Sequence, residues 1–175
     1  MYNKLLNNLE ELNLVQFRAN FDTYVDLINN KSKTIIEALC ELTRLELDVK
    51  NERAKHACIK VANFPFIKTL DDFDFNFQPC LNKEKILDFK NFRFITNNEN
   101  IVFIGNPGVG KSHLAVSIGI ECAKKRYSTY FITCNDLCSQ LKRAHLENRL
   151  DAKLKVYSKY KILIIDEVGY LPVDI

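Results

Sequence analysis

The sequence predicts an α/β protein in which a parallel sheet follows a helical N-terminal region. Apolar residues recur at helical spacing through residues 1–62, which indicates amphipathic helices. From Asn100 onward, short apolar runs alternate with helical stretches and one glycine-rich loop. This alternation favours parallel strands joined by helices. Apolar residues make up 47% of the 175 residues, which is enough for a buried core.

Three helices are predicted in the N-terminal region. Leucines within residues 5–14 give the first helix, and apolar residues within 15–28 give the second. Thr34 and Glu37 form a capping box, since each side chain can satisfy a backbone amide at the start of a third helix. Pro65 forbids continuation of that helix, so we expect it to end near residue 61.

The composition changes after the third helix, and we divide the chain accordingly. The predicted parts are a helical domain at 1–62, an aromatic-rich linker at 63–82 and a sheet domain at 83–175. The linker is irregular and contains two prolines. We expect it to pack onto the sheet domain through Phe73, Phe75 and Phe77.

The sheet domain is predicted to begin with a short helix at 83–92 and to continue with three strands. The apolar runs at 101–104, 129–133 and 162–165 are the predicted strands. A helix from Lys111 to about Lys125 separates the first two, and a helix over about 136–147 followed by a shorter one separates the last two.

Residues 105–112, GNPGVGKS, fit the pattern G-x-x-x-x-G-K-[ST] at every specified position. Glycines let the backbone curl so that successive N–H groups surround a phosphate, and the following helix adds its positive end. Lys111 would reach the β- and γ-phosphates of ATP, and the Ser112 hydroxyl would bind Mg²⁺. The predicted nucleotide-binding residues are Gly105, Asn106, Pro107, Gly108, Val109, Gly110, Lys111, Ser112 and His113.

A glycine-rich turn with a merely solvated lysine is the alternative interpretation of this loop. The surrounding sequence favours a phosphate loop, because an apolar run precedes it and an apolar helix follows it. We expect His113 to pack or to cap the helix rather than to catalyse a reaction.

Two adjacent acids, Asp166 and Glu167, follow the last predicted strand. Carboxylates at the carboxyl end of a parallel strand lie where open α/β sheets bind ligands. Asp166 would hold Mg²⁺ together with Ser112, and Glu167 would act with Lys111 in catalysis by polarising the attacking water. A solvated acidic turn is the alternative, which the upstream phosphate loop disfavours. Two acids favour an ATP-hydrolysing protein over a small-molecule kinase.

Charge and cysteine content bear on the protein's partners and on its cellular compartment. The net charge of +3 neither requires nor excludes nucleic acid. Basic residues between Arg44 and Lys60 could contact DNA, but Glu46, Asp48 and Glu52 interrupt them, so a solvated helix face is equally compatible. The six cysteines form no Cys-x-x-Cys pair, and we expect buried thiols in a reducing cytoplasm. The apolar runs are too short to span a membrane, and no signal peptide is evident.

These motifs resemble those of the IstB-like ATPases, which help insertion-sequence transposases and are related to DnaC-type helicase loaders within the AAA+ class. The resemblance covers essentially the whole chain. It rests on the helical N-terminus, the linker FPFIKTLDDFDFNFQP, the segment ENIVFIGNPGVGKSHLA, the helix DLCSQLKRAH and the segment KILIIDEVGYLP. The last segment and the linker are more similar to the transposition helpers than to the helicase loaders.

The resemblance implies a P-loop NTPase of the AAA+ class that uses ATP and Mg²⁺. Residues 105–112 match its Walker A motif, and residues 166–167 match its Walker B motif. It implies that subunits self-associate, assemble on double-stranded DNA and recruit the transposase of the same element. The N-terminal helices would contact DNA or that partner. Helicase loading and a non-catalytic nucleotide-binding remnant are the alternatives.

Two departures from the family are visible. The basic stretch of the N-terminal helices is thinner, and the sensor and arginine residues that complete the family's site have no counterpart within the 175 residues. The family's sheet has the strand order 5-1-4-3-2, and the strand at 101–104 corresponds to strand 1. Its two neighbours, strands 4 and 5, have no counterpart within the 175 residues. We therefore expect exposed apolar backbone at 101–104, marginal stability and slow ATP hydrolysis by this chain alone.

Overall fold

A computed structural model of the chain describes residues 1–79 and 81–169. The chain divides into two compact units, Met1–Ala54 and a second unit that begins at Lys55. Within the described residues no helix is long and apolar enough to cross a membrane. Cys80 and residues 170–175, which include most of the predicted GYLP segment, lie outside the described residues.

The first unit is helical and ends at Ala54, within the third helix. It contains α1 (Tyr2–Glu11), α2 (Val15–Asn29) and the first part of α3 (Ile35–Val61). The Thr34–Glu37 capping box is present: the Thr34 amide donates to Glu37 Oε2 at 2.8 Å, and the Glu37 amide donates to Thr34 Oγ1 at 3.2 Å. The third helix therefore begins where the local sequence indicated.

Apolar contacts and one buried acid hold the first unit together. Leu9, Phe17 and Leu42 form its buried cluster. Glu46 is only 4% exposed, and its Oε2 accepts hydrogen bonds from the Gln16 and Phe17 amides at 2.8 and 3.3 Å. These amides belong to the first turn of α2, so the carboxylate satisfies donors that the helix itself leaves free.

The second unit has a two-stranded parallel sheet. Strand β1 (Thr129–Thr133) pairs with β2 (Ile162–Asp166), and the register places Thr129 beside Ile162 and Thr133 beside Asp166. The predicted parallel α/β sheet is therefore confirmed. The helices of this unit are α4 (Lys83–Asp88), α5 (Arg93–Thr96), α6 (Lys111–Lys124), α7 (Cys134–Leu146) and α8 (Leu150–Tyr157). Short 3-10 turns occupy Leu70–Asp72, Phe75–Phe77 and Phe89–Asn91.

Helix α6 lies at the centre of the second unit. Val116, Ile120 and Cys122 are fully buried, and burial raises the pKa of the Cys122 thiol to about 12. The helix packs closely on the sheet at Gly119, where a Cβ atom would come within 2.5 Å of Ile164 Cδ1. Burial of each large aliphatic side chain contributes about 1.5–3 kcal/mol, so α6 is the main anchor of this unit.

The other edge of β1 is covered by the two residues that follow α3. The Phe131 amide donates to the Ala62 carbonyl at 2.8 Å, and Asn63 Nδ2 donates to the Phe131 carbonyl at 3.1 Å. Strand β2 pairs only with β1 among the described residues. The free edge of the sheet is therefore the β2 edge.

The prediction that residues 101–104 form a strand is wrong. The segment is irregular and has no ladder partner among residues 1–79 and 81–169. Phe103 packs against the core, but Val102 is 75% exposed and Ile104 is 92% exposed. An apolar run favours a strand only where a neighbouring strand accepts its hydrogen bonds. The expected exposure of this segment is confirmed.

Two smaller expectations are also corrected. Of the described cysteines, only Cys122 is buried, and Cys40 is exposed. In the linker, Phe73 is buried and Phe75 packs beside it, but Phe77 is 69% exposed. The spacing of the aromatic residues could not indicate which ring lies inward, because 3-10 turns give the linker no fixed period.

Candidate nucleotide-binding site

The loop at 105–110 leads directly into the first turn of α6. Gly108 and Gly110 have left-handed backbone conformations, with φ of 80° and 90°. The Gly110 carbonyl accepts the first helical hydrogen bond, from the Leu114 amide at 3.0 Å. The N–H groups of residues 111–113 precede that bond and have no helical acceptor. The loop therefore presents free donors and the positive end of a 14-residue helix.

The Lys111 side chain folds back over this loop. Its Nζ donates to the Gly105 carbonyl at 2.9 Å and to the Asn106 carbonyl at 2.8 Å. The ammonium group is thus held beside the curled backbone, at the place where the motif needs a cation for phosphate oxygens. The two carbonyl contacts fix its position without neutralising its charge.

An aromatic ring limits the space at Gly110. A Cβ atom built on this residue would lie 2.6 Å from Phe73 Cε2 and 3.2 Å from Phe73 Cζ. A Cβ atom at Gly108 would meet nothing within 4 Å. The motif requires both glycines for backbone conformation, but only Gly110 is also in close contact with another segment.

The contacting segment is a strap, residues 66–75, that crosses the first two turns of α6. His113 Nε2 lies 3.1 Å from the Thr69 carbonyl, and the His113 ring packs edge-on against Phe73 with centroids 5.2 Å apart. Ser117 Oγ donates to the Lys68 carbonyl at 2.9 Å. His113 therefore packs against the strap, and sequence reasoning did not identify this contact between linker and phosphate loop.

The strap is shaped by a capping box of its own. The Thr69 amide and hydroxyl both donate to Asp72 Oδ2, at 2.7 and 2.9 Å. The hydrogen bond from the Thr69 amide, followed by the one from its hydroxyl, lowers the pKa of the Asp72 carboxyl. The charges of His113 and Lys68 lower it by smaller amounts. The two hydrogen bonds to the ionised Asp72 carboxylate stabilise the folded chain fully above the ordinary pKa of aspartate. This stabilisation is lost as pH falls through the lowered pKa. The T-x-x-D spacing at 69–72 is the signal that could have located this turn.

The two acids lie at the edge of the sheet that faces the start of α6. Only residues 125–128 connect the end of α6 to the beginning of β1, so α6 runs antiparallel to both strands. The N-terminus of α6 and the end of β2 are therefore at the same edge. Asp166 is the last residue of β2, and Glu167 follows it, exposed and with φ of 59°.

The side chains at this edge suit a hard divalent cation. The Ser112 hydroxyl and the Asp166 carboxylate are oxygen donors, which Mg²⁺ prefers, and neither has a hydrogen-bond or ion-pair partner in the described part of the chain. No group of three or more His, Cys, Asp or Glu residues could hold a metal within that part. This donor set fits Mg²⁺ bound through one carboxylate together with substrate phosphates.

The geometry brings some predicted residues together and leaves others apart. Residues 105–113 form one continuous loop and helix start. Asp166 and Glu167 share its edge of the sheet, but no hydrogen bond or ion pair within the described residues joins them to the loop. The loop and the parallel sheet define a P-loop protein of the α/β class.

Comparison with known sequences identifies the family. Residues 7–175 match the profile of the family described as IstB-like ATP binding protein. The match covers nearly the whole chain, so the chain belongs to this family, whose members are ATP-binding proteins associated with insertion sequences.

Three relatives illustrate the similarity. The chain is 53% identical over 173 residues to the protein named for ATP binding in insertion sequence IS232 of Bacillus thuringiensis subsp. berliner. It is 46% identical over 138 residues to the corresponding IS5376 protein of Geobacillus stearothermophilus, and 31% identical over 166 residues to that of IS21 from Pseudomonas aeruginosa. These matches cover 99%, 79% and 95% of this chain, and 69%, 55% and 63% of the relatives' lengths.

Proposed function

We propose that the chain binds ATP with Mg²⁺ at residues 105–113 and helps DNA transposition through that binding. The observation that carries the proposal is the loop itself: left-handed glycines curl it, α6 presents its free N–H groups, and Lys111 lies over its carbonyls. This combination provides backbone donors and a cation for a polyphosphate.

Each polar residue of the site has a distinct role in the proposal. Lys111 exchanges its carbonyl contacts for oxygens of the β- and γ-phosphates, where a charge-assisted hydrogen bond is stronger. Ser112 and Asp166 hold Mg²⁺, which offsets phosphate charge when bound. Glu167, exposed beside Asp166, accepts a proton from the attacking water. Lys111 and Glu167 are thus the proposed catalytic residues.

The transposition role rests on the relatives. The proteins named above belong to insertion sequences, which favours a transposition helper over a helicase loader. We assign the ATP-dependent step to assembly of several subunits on double-stranded DNA and recruitment of the element's transposase, in the cytoplasm. The helical domain at 1–62 contacts DNA or that transposase, the linker at 63–82 joins it to the ATP-binding part, and residues 83–175 bind the nucleotide.

One pair of variants tests the proposal. Lys111→Ala should weaken ATP binding by about 10- to 100-fold, because it removes a charged hydrogen-bond donor worth about 1.5–3 kcal/mol. Calorimetric titration of the purified chain with ATP and Mg²⁺ measures this change. The same variant should lose ATP-dependent capture of the co-produced transposase.

The matched control is Lys124→Ala, in the last turn of the same helix. Lys124 forms only a partly exposed ion pair with Glu121, so its removal should leave ATP affinity within about twofold. Equal ATP affinity in the wild type and in Lys111→Ala would reject the phosphate loop. Normal ATP binding with capture of a replicative helicase instead of the transposase would assign the chain to helicase loading. ATP binding without hydrolysis or capture would indicate a non-catalytic remnant.

A further inference from the structure

Two cysteines lie one helical turn apart at the start of α7. Cys134 is the first residue of the helix and Cys138 occupies position i+4, so both side chains lie on the same face. The two thiols are hydrogen-bonded to each other. This contact brings two sulfur donors together on one rigid element, without any change of fold.

Packing alone does not account for this pair. A cysteine that serves as a small apolar residue is usually fully buried, as Cys122 is. Cys134 and Cys138 are only partly buried, and the buried residue of α7 is Ala144. The pair therefore lies at the boundary between the helix and solvent, where a small ligand can reach both sulfur atoms.

The geometry of a helix disfavours a disulfide between these two residues. Residues at i and i+4 have their β-carbons about 5–6 Å apart. A disulfide needs β-carbons about 3.5–4.5 Å apart, so the first turn of α7 would have to deform. Partial burial, followed by the hydrogen bond to Cys138, raises the pKa of the Cys134 thiol. A raised pKa also slows oxidation, because oxidants attack the thiolate.

The donor set fits a soft monovalent cation. Thiolates favour Cu(I) and Zn²⁺ among biological metals. Structural Zn²⁺ takes four ligands, and no group of three or more His, Cys, Asp or Glu residues could hold a metal within residues 1–79 and 81–169. Cu(I) is satisfied by two thiolates in a nearly linear arrangement. Two metal–sulfur bonds of about 2.3 Å each span up to about 4.6 Å, which a pair at i and i+4 can accommodate.

The start of α7 adds favourable electrostatics. Thr133 Oγ1 accepts the Asp136 amide at 3.1 Å, whereas the amides of Cys134 and Asn135 have no helical acceptor. A Cu(I) dithiolate carries one negative charge, which the positive end of this 13-residue helix stabilises. The Asp136 carboxylate opposes that charge, but it accepts a hydrogen bond from the Thr133 hydroxyl at 2.9 Å.

We propose that Cys134 and Cys138 form a two-coordinate site for Cu(I) at the start of α7. Binding breaks the two S–H bonds, releases two protons to solvent and forms two Cu–S bonds, with no change in oxidation state. Cys134 directly follows Thr133, the register partner of Asp166, so this site lies at the same edge of the sheet as the proposed Mg²⁺ ligand. The two sites differ in chemistry, because Mg²⁺ prefers oxygen donors and Cu(I) prefers sulfur.

Competition for Cu(I) under anaerobic conditions tests the inference. The purified full chain, reduced and free of metal, is titrated into the coloured complex of Cu(I) with bicinchoninate, and the colour fades as the protein withdraws copper. The wild type should withdraw an equimolar amount. X-ray absorption at the copper edge of the loaded protein should show two sulfur neighbours.

The variants separate the pair from the other thiols. Cys134→Ser and Cys138→Ser should each bind Cu(I) at least about 100-fold more weakly, because two linked donors bind far more tightly than one. A matched control, Cys138→Ser with Ser139→Cys, keeps the number of thiols but turns one of them by about 100° around the helix. It should be as weak as Cys138→Ser. Cys40→Ser with Cys58→Ser should bind as the wild type does, and urea denaturation checks that each variant is folded.

Four results would overturn the inference. The first is failure of the wild type to withdraw copper, and the second is unchanged affinity in Cys138→Ser or in the control that moves its thiol to residue 139. The third is a copper-edge spectrum with a third sulfur or with nitrogen or oxygen neighbours, and the fourth is tighter binding of Zn²⁺ than of Cu(I). None of these results bears on ATP binding, which Lys111→Ala tests independently.

Discussion

Gly110 is constrained both by its backbone conformation and by close packing against another segment. Its φ of 90° disfavours every residue with a side chain, and its α-carbon faces the Phe73 ring at a distance that excludes even a methyl group. Gly108 has a similar φ of 80° but open space around it. The two glycines of one motif therefore face different physical demands.

Gly110→Ala should destabilise the chain more than Gly108→Ala does. Both substitutions place alanine in the left-handed region, at a cost of about 1–2 kcal/mol. Only Gly110→Ala also forces the Phe73 ring to move, which adds about 1–3 kcal/mol of overpacking. Urea denaturation of the two variants measures the difference. Equal midpoints would show that the Phe73 ring yields without cost.

At the scale of an element, the strap is the part of the aromatic linker that contacts the start of α6 and the loop before it. Two side chains of α6 reach its backbone, His113 at the Thr69 carbonyl and Ser117 at the Lys68 carbonyl. Phe73 adds an apolar contact with the same turn of the helix. Movement of the strap would change the space over the first turn of α6, so linker and loop form one structural unit.

Ser117→Ala should loosen the strap while leaving the helix intact. Ser117 is fully buried, and its loss leaves the Lys68 carbonyl without that donor, at a cost of about 1–3 kcal/mol. Hydrogen exchange should accelerate in residues 66–75 before it changes in α6. The control Ser158→Ala removes an exposed bond to the Lys155 carbonyl and should have no such effect. Unchanged exchange in the strap would show that the His113 and Phe73 contacts hold it without Ser117.

The whole molecule combines a well-packed helix α6 with a sheet that has one open edge. Ile120 is fully buried in α6, whereas Ile104 is 92% exposed in the segment before the phosphate loop. The edge of β2 has no second partner within the described residues. Stability of the second unit therefore comes from α6 and its neighbours, and the segment at 101–104 contributes exposed apolar surface.

Substitution of the two isoleucines should affect stability to very different extents. Ile120→Ala should lower the free energy of unfolding by about 2–5 kcal/mol, because it leaves a cavity in the core. Ile104→Lys should change that free energy by less than about 0.5 kcal/mol and should reduce self-association, because it places a charge on an apolar surface. Denaturation curves and light scattering measure the two effects. A large destabilisation by Ile104→Lys would show that the segment is packed in solution.

Elements formed by contacts between residues close in sequence could be predicted, and features that depend on distant segments could not. The start of α3 was predictable because Thr34 and Glu37 satisfy each other's amides within one turn. The strand at 101–104 was not, since its apolar pattern indicates a strand only where a partner supplies the ladder. The contact between Phe73 and Gly110 was also out of reach, because no local pattern specifies which of several aromatic residues meets a loop far along the chain.

The sequence by itself determined the curled glycine-rich loop at 105–112, the place of the acids at 166–167 after the last strand and the parallel α/β class. These features are local: eight consecutive residues suffice to curl the backbone, and apolar alternation specifies strands joined by helices. The tertiary structure decided that the strap lies over the loop, that β1 pairs with β2 and that 101–104 has no partner among the described residues. Those outcomes depend on packing between distant segments, where shape and burial select one arrangement among many that the local sequence permits.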